Sequence, residues 1–261
     1  MKYDHVAFGA DPELFLIDHD GKYRSAIGLI GGSKQNPRPI DDLGSAVQED
    51  NVAVEFNIIP AMTKEDFRNN VAFVMNYLNK HAESMALQLA VVPAVMFDAD
   101  QLEHPSAQEF GCDPDFNVWT KQKNPRPQLE GDMKRLRSCG GHIHVSWSNP
   151  IVEDQTLLIQ AMDLFLGCPS VEYDGDRMRR ALYGKAGAFR FKNYGVEYRT
   201  LSNFWIKSPD MVDWAYDQTE RAVDYLNGGG VIDEEHYDMI QETINNNNEH
   251  TLNQLRTVYP I

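Results

Sequence analysis

The sequence predicts an α+β fold, and three patterns carry the prediction. Several stretches alternate apolar and polar residues with period two, as half-buried strands do. Segments near 63–85, 152–166 and 208–226 instead carry apolar residues at helical spacing. The polar members of the strand patterns are carboxylates, imidazoles and guanidinium groups, which carry chemistry.

At 261 residues and 42% hydrophobic, the chain has material for a substantial core, expected as a single catalytic domain over 1–261 with a helical segment from about 208. No apolar run reaches transmembrane length, and Met1-Lys2-Tyr3-Asp4-His5 lacks the apolar stretch of a signal peptide. Cys112, Cys139 and Cys168 are odd in number and widely spaced, which argues for a reducing, cytoplasmic setting rather than a disulfide framework. The net charge of −15 disfavours nucleic acid and anionic membranes as partners and suits a cation site. Acidic residues crowd the stretch after Pro209, while Arg and Lys concentrate in 121–137 and 177–199, a basic band that predicts an anionic ligand.

Taken in order, residues 5–18 read as a strand that Pro12 restricts to an edge or a bulge. Asp11 and Glu13 share a face there and lead into the wholly apolar Leu14–Ile17. Carboxylates in that position need a cation or donors to offset desolvation. Residues 19–48 read as loop with short strands, and Gly31-Gly32-Ser33-Lys34 lacks the spacing of a phosphate-binding loop. Residues 49–60 alternate as a strand, with Val52, Val54, Phe56 and Ile58 on one face and Glu55 and Asn57 on the other. Thr63 caps a helix with Glu65 and Asp66 in its first turn and a stripe of Phe67, Val71, Val74, Leu78 and Met85. Ala90–Phe97 reads as another strand. Residues 98–136 form a long irregular stretch whose aromatics argue against disorder, read as a wall of the site.

Cys139-Gly140-Gly141-His142-Ile143-His144-Val145-Ser146 is the most informative stretch. As a strand it projects both histidines from one face, where paired imidazoles suit a metal or, when protonated, an anion. The glycines permit a bulge or the close approach of a ligand. Residues 152–166 read as an amphipathic helix ended by Gly167. The run 176–192 then places basic residues beside glycines, an arrangement that suits phosphate groups. Tyr194–Leu201 reads as a strand with Glu197 and Arg199 on one face: Glu197 to hold a metal, Arg199 to meet a substrate anion. Beyond Ser208-Pro209 come a helix that stops at Gly228-Gly229-Gly230 and an acidic one from about Asp233, broken by Asn245–Asn248.

Carboxylates with one or two histidines and no thiolate cluster favour Mg²⁺ or Mn²⁺. Joined to Arg and Lys, they are the equipment of phosphoryl transfer from a nucleotide. In this order (Gly-x-Asp-x-Glu, Glu-x-Asn, Gly-His-x-His, a basic segment, Glu-x-Arg) the motifs resemble the glutamine synthetase and glutamate–cysteine ligase superfamily. Within it the chain resembles most the COOH-NH2 ligase type 2 amidoligases, many of them phage-encoded. The similarity spans most of residues 7–207. The resemblance implies a curved antiparallel sheet with the active site on its concave face and helices behind. It implies metal ligation by Asp11, Glu13, Glu55, His142 and Glu197. It places His144, Arg177, Arg180, Lys185 and Arg190 near nucleotide phosphates and Arg199 near phosphate or the substrate carboxylate, with Glu55, Glu197, Arg190 and Arg199 in catalysis. The implied reaction uses ATP to turn a carboxylate, small or peptidic, into an acyl phosphate that an amine displaces; a phage enzyme would act in the host cytoplasm. The chain departs from glutamine synthetase in its length and in having Asp11 where that enzyme has Glu. Its second acidic strand also carries one clear Glu, with Glu49 or Asp50 as substitutes.

The same residues admit three rival readings: a guanidino-type phosphotransferase, a zinc hydrolase using Cys139, His142 and His144, and a non-catalytic metal- or nucleotide-binding phage protein.

Overall fold

The twelve residues Ala7–Asp18 form strand β1, on which the other elements are assembled. The computed structural model describes residues 2–108, 115–125 and 129–261, apart from the side chains of Arg177 and Ala181. The remaining strands are β2 (Tyr23–Arg24), β3 (Arg38–Pro39), β4 (Ala46–Asp50), β5 (Ala53–Asn57), β6 (Leu87–Ala90) and β7 (Ala94–Met96), then β8 (Phe116–Asn117), β9 (Gln122–Lys123), β10 (Leu136–Ser138), β11 (Gly141–Ser146), β12 (Ala188–Lys192) and β13 (Gly195–Tyr198). Among the described residues, the main sheet runs β3-β4-β5-β1-β11-β13-β12-β8-β9, with β2 and β6 also on β1 and the pairings antiparallel.

Of the two placements expected for 5–18, an edge or a bulge, the edge is corrected: β1 lies in the middle of the sheet. Pro12 is accommodated because its missing N–H falls where the β5 ladder is interrupted. Pairing with β5 is registered at Glu13↔Glu55 and Leu14↔Val54, while β11 pairs along Ala7–Pro12 on the other side. The single strand read over 49–60 is also corrected. Asn51, at a left-handed φ of 57°, turns the chain between β4 and β5, so Glu49 and Asp50 belong to the earlier strand. Ala90–Phe97 likewise divides before Pro93, giving β6 on the main sheet and β7 paired with β10.

The helices are α1 (Lys64–Ser84), α2 (Pro105–Gln108), α3 (Val152–Met162), α4 (Cys168–Ser170), α5 (Arg177–Leu182), α6 (Pro209–Asn227), α7 (Tyr237–Asn246) and α8 (Glu249–Leu255). Thr63 caps α1 by accepting the Asp66 N–H at 3.1 Å, and Phe67, Val71, Val74 and Leu78 are buried as the stripe requires. Gly167 does not end the third helix: a π-helical turn over Asp163–Gly167 carries the chain on into α4. Ser208 caps α6 with Pro209 in its first turn, and Asn247, at φ 48°, separates α7 from α8.

The strand alternation sorts the two faces. Ala10, Leu14, Val54, Phe56, Ile143, Val145, Val196 and Tyr198 point into the main core with α1, α3 and α6. Asp11, Glu13, Glu55, His142, His144, Arg190 and Glu197 occupy the alternate positions and share the opposite face. A smaller core including Phe15, Phe97 and Cys139 borders that face. No helix among the described residues is long and apolar enough to cross a membrane.

Candidate active site

Cross-strand register assembles the site. Asp11 of β1 stands opposite His142 of β11, His144 opposite Glu197 of β13, and Glu197 opposite Arg190 of β12. Both histidines meet one carboxylate: Asp11 Oδ1 lies 3.3 Å from His142 Nδ1 and 3.0 Å from His144 Nε2. Asp11, His142 and Glu197 can each point one ligand atom into a space less than 4.8 Å across. Gly140 and Gly141 permit this packing by lacking side chains. A Cβ on Gly140 would strike the His142 ring, and one on Gly141 would strike Ser202 and Trp205. The close approach is thus of protein on protein, where the sequence also allowed a ligand.

The carboxylates fall into two electrostatic groups. Burial and the Asp11 charge both work against ionised Glu197, yet Arg199, His142 and His144 more than offset them and hold it at about 2. Lys192 Nζ sits 2.6 Å from Glu197 Oε2, and Arg199 pairs with Oε1. Asp11 is half-buried, which works against its charge, but the two histidines keep its carboxyl well below the ordinary range. Burial also opposes a charged His144, but Asp11 prevails and raises it. Glu13 and Glu55 behave oppositely. Burial first, then the neighbouring Asp11, Glu13 and Asp50 charges, pushes Glu55 well above its ordinary value. Burial likewise raises Glu13, with Asp50 adding to the rise and His142, Gly140 N–H and Arg199 opposing it. Glu55 accepts from Gln48 Nε2 at 2.5 Å, and Gln48 Oε1 is buried without a hydrogen-bond partner. Crowded carboxylates beside an unmet acceptor fit a hard divalent cation.

This pattern makes stability depend on pH in two opposed ways. Asp11 and Glu197, with lowered values, stabilise the fold above the ordinary carboxylate range, and that contribution is lost as pH falls towards 2. Glu13 and Glu55, with raised values, favour the fold below about 4.5, and that contribution is lost as pH rises through their folded values. Metal-free protein is therefore expected to melt highest in mild acid and lower by pH 8. Mg²⁺ or Mn²⁺ should raise Tm more at pH 8 than at pH 5; equal gains at both would refute cation binding at these carboxylates.

Several predicted residues take other places. Arg180, 2% exposed, donates to the carbonyls of Gly184 and Thr200 and lies near Asp174; this corrects its expected place beside nucleotide phosphate. Lys185 is exposed in the turn before β12. The Arg177 side chain, Cys112 and Arg126 lie outside the described residues. The basic segment read as loop is α5 and β12 instead. Glu49 turns away and accepts N–H groups of Gly28, Ile30 and Gly31, so Asp50 is the acid that joins Glu13 and Glu55. Cys139 packs beside Phe15 and Phe97 and belongs to neither group of metal-capable side chains among the described residues, which leaves the zinc reading without its thiolate.

Other contributors were not singled out from sequence. Lys192 pairs with Glu197, and Asp115 meets Arg199 Nε at 2.5 Å with Arg190 Nε 3.9 Å away. The Tyr194 hydroxyl lies 2.6 Å from His144 Nδ1. Reading 188–192 as a strand would have put Lys192 on the Arg190 face; nothing local distinguishes Asp115.

Residues 130–219 match the family described as phage phiEco32-like COOH.NH2 ligase-type 2. The match includes His142, His144, Glu197 and Arg199, and bears out the resemblance drawn from the motifs. A search of curated proteins finds no match. Among solved structures, the chain is similar to one described as apo GmaS without ligand, at 11% identity and a TM-score of 0.46, covering 97% of this chain and 68% of that one.

Proposed function

We propose that the chain is an ATP-dependent carboxylate–amine ligase that forms an amide or peptide bond. One observation carries this reading: Asp11, Glu13, Glu55 and Glu197, from three strands, share a sheet face with Arg190, Lys192 and Arg199. The match of residues 130–219 to a ligase family supports it.

Asp11, Glu13, Glu55, His142 and Glu197 would hold Mg²⁺ or Mn²⁺, which when bound offsets phosphate charge. Arg190 and Lys192 lie on the β12 side of the carboxylates and suit the transferred phosphoryl group; Arg199, held by Asp115 and Glu197, suits the substrate carboxylate. In the reaction, a carboxylate oxygen attacks the γ-phosphorus and ADP leaves. The amine nitrogen then attacks the acyl carbon, the carbon–oxygen bond to phosphate breaks, and the amine proton passes to solvent.

Incubation with ATP, Mg²⁺, a pool of amino acids and small peptides, and hydroxylamine is expected to yield a hydroxamate, because hydroxylamine intercepts an acyl phosphate whatever the natural amine. Hydroxamate that needs both ATP and metal supports the ligase. ADP without hydroxamate would favour a guanidino-type phosphotransferase or idle hydrolysis of ATP. Absence of turnover with a nucleotide-dependent rise in Tm would favour a binding protein.

A further inference from the structure

Behind the sheet, where α3 passes into its π-helical turn, sits a carboxylate that the proposed reaction does not use. Asp163 is 0% exposed. Its Oδ1 accepts from the Tyr198 hydroxyl at 2.8 Å and the Thr200 hydroxyl at 3.3 Å, and its Oδ2 accepts from Trp119 Nε1 at 2.7 Å. The Gly187 N–H also reaches it. Burial pushes the carboxyl up to about 6 and these neutral donors oppose the rise, so the group is largely ionised at neutral pH. A buried charge costs desolvation that an apolar side chain would not. What the carboxylate supplies in return is acceptor capacity: about four positions on two oxygens, and no donor of its own.

Its donors belong to segments that carry the charges of the candidate site. Tyr198 lies between Glu197 and Arg199, and Thr200 follows Arg199. Gly187 precedes β12, which carries Arg190 and Lys192. Trp119 lies in the same short segment as Asp115, the partner of Arg199 Nε. The chain between them is held, because Asn117 pairs with Ala188 in the sheet and accepts the N–H groups of Trp119 and Thr120. A shift of Trp119 therefore reaches Asp115. Close fits accompany these bonds: a Cβ on Gly167 would lie 2.6 Å from the Tyr198 hydroxyl, and one on Gly187 2.6 Å from the Trp119 ring. We propose that Asp163 is a positioning residue, which seats Glu197 through Tyr198 and Thr200, and seats Asp115, and with it Arg199, through Trp119. What those groups then do rests on the ligase reading.

In the full chain, Tyr198→Phe and Trp119→Phe each cut one connection and keep an aromatic ring, while Asp163→Leu cuts both. Mn²⁺ affinity is read from the electron paramagnetic resonance of the free ion. ATP-dependent hydroxamate formation, assayed below each variant's Tm, gives kcat and the KM for ATP. Tyr198→Phe is expected to weaken Mn²⁺ binding about tenfold through Glu197. Trp119→Phe should leave Mn²⁺ affinity and the KM for ATP close to wild type and lower kcat about tenfold through Arg199. A residue that only stabilised the fold would lower Tm without this division of effects. Asp163→Leu should show both losses, and adding Trp119→Phe to it should lower kcat no further. The single variants carry the test if Asp163→Leu misfolds. Folded variants with wild-type Mn²⁺ affinity and kcat would overturn the positioning role alone, as would a Trp119→Phe loss that persists in the Asp163→Leu background. A wild type that forms no hydroxamate, with Mn²⁺ binding weakened in Tyr198→Phe, would overturn the ligase and keep Asp163 seating Glu197. A wild type that neither binds Mn²⁺ nor forms hydroxamate would overturn both.

Discussion

Glu197→Gln is expected to reduce ATP-dependent turnover by at least about 10²–10³-fold while the sheet survives. The substitution keeps the side-chain volume at a position that is 0% exposed, and it removes one charge from the centre of the site. Arg199, Lys192 and Arg190 all direct their charge at this carboxylate. Gln in its place presents an NH2 donor where a carboxylate oxygen accepted, leaves cations that then repel one another, and deprives a metal of an anionic ligand. A carboxyl lowered from 4.5 to about 2 contributes about 3 kcal/mol to stability near neutrality, so the variant should also melt lower. Turnover is therefore assayed well below the variant's own Tm, with circular dichroism to establish folding. Undiminished turnover in folded Glu197→Gln protein would remove this strand from the mechanism.

Arg179→Met is expected to show the largest loss of stability. Its guanidinium is buried and donates to Cys139 O at 3.0 Å, Thr200 O at 3.0 Å and Leu201 O at 2.7 Å. Burial lowers its value to about 10, with Asp174 and Glu13 opposing the fall, so the group stays charged at neutral pH. Met fills similar space and leaves three carbonyls without those donors. The cost should be about 3–5 kcal/mol, or roughly 10 °C in Tm. Gly184 is part of the same arrangement: a Cβ there would collide with the Arg179 guanidinium. Because Arg179 ties the lead-in to β11 to the chain just after Arg199, metal affinity should fall along with stability. A Tm within a degree or two of wild type would show that water replaces the guanidinium at those carbonyls.

The period-two alternation made much of the candidate site's face legible in the sequence. It placed Asp11 with Glu13, His142 with His144 and Glu197 with Arg199, and each pair lies on the face expected. The errors arose where a residue's meaning depends on its neighbours in space. Pro12 reads as a sign of an edge or a bulge, and the sequence does not reveal that its missing N–H falls in a ladder interruption within the sheet. Asn51 hid inside an apparently regular alternation, and the turn it makes assigns Asp50 rather than Glu49 to the site. Gly167 looked like a helix stop, but a Cβ there would meet Ile244 and the Tyr198 hydroxyl, so the glycine serves contact instead. Arg180 and Arg190 look alike in sequence; one is sunk among carbonyls and the other reaches the site.

The order β5-β1-β11-β13 gives the site a particular history during synthesis. Asp11 emerges early, His142 beyond the middle of the chain and Glu197 later still, yet these three must converge to form one cluster. Contacts between such distant segments are slow to close. A ribosome-bound chain ending before β13 would already carry Asp11 and the two histidines that pair with it but lack Glu197 and Arg199. The cluster of Asp11, His142 and Glu197 is thus a signature of completed folding, closed only when the strand holding Glu197 docks against β11.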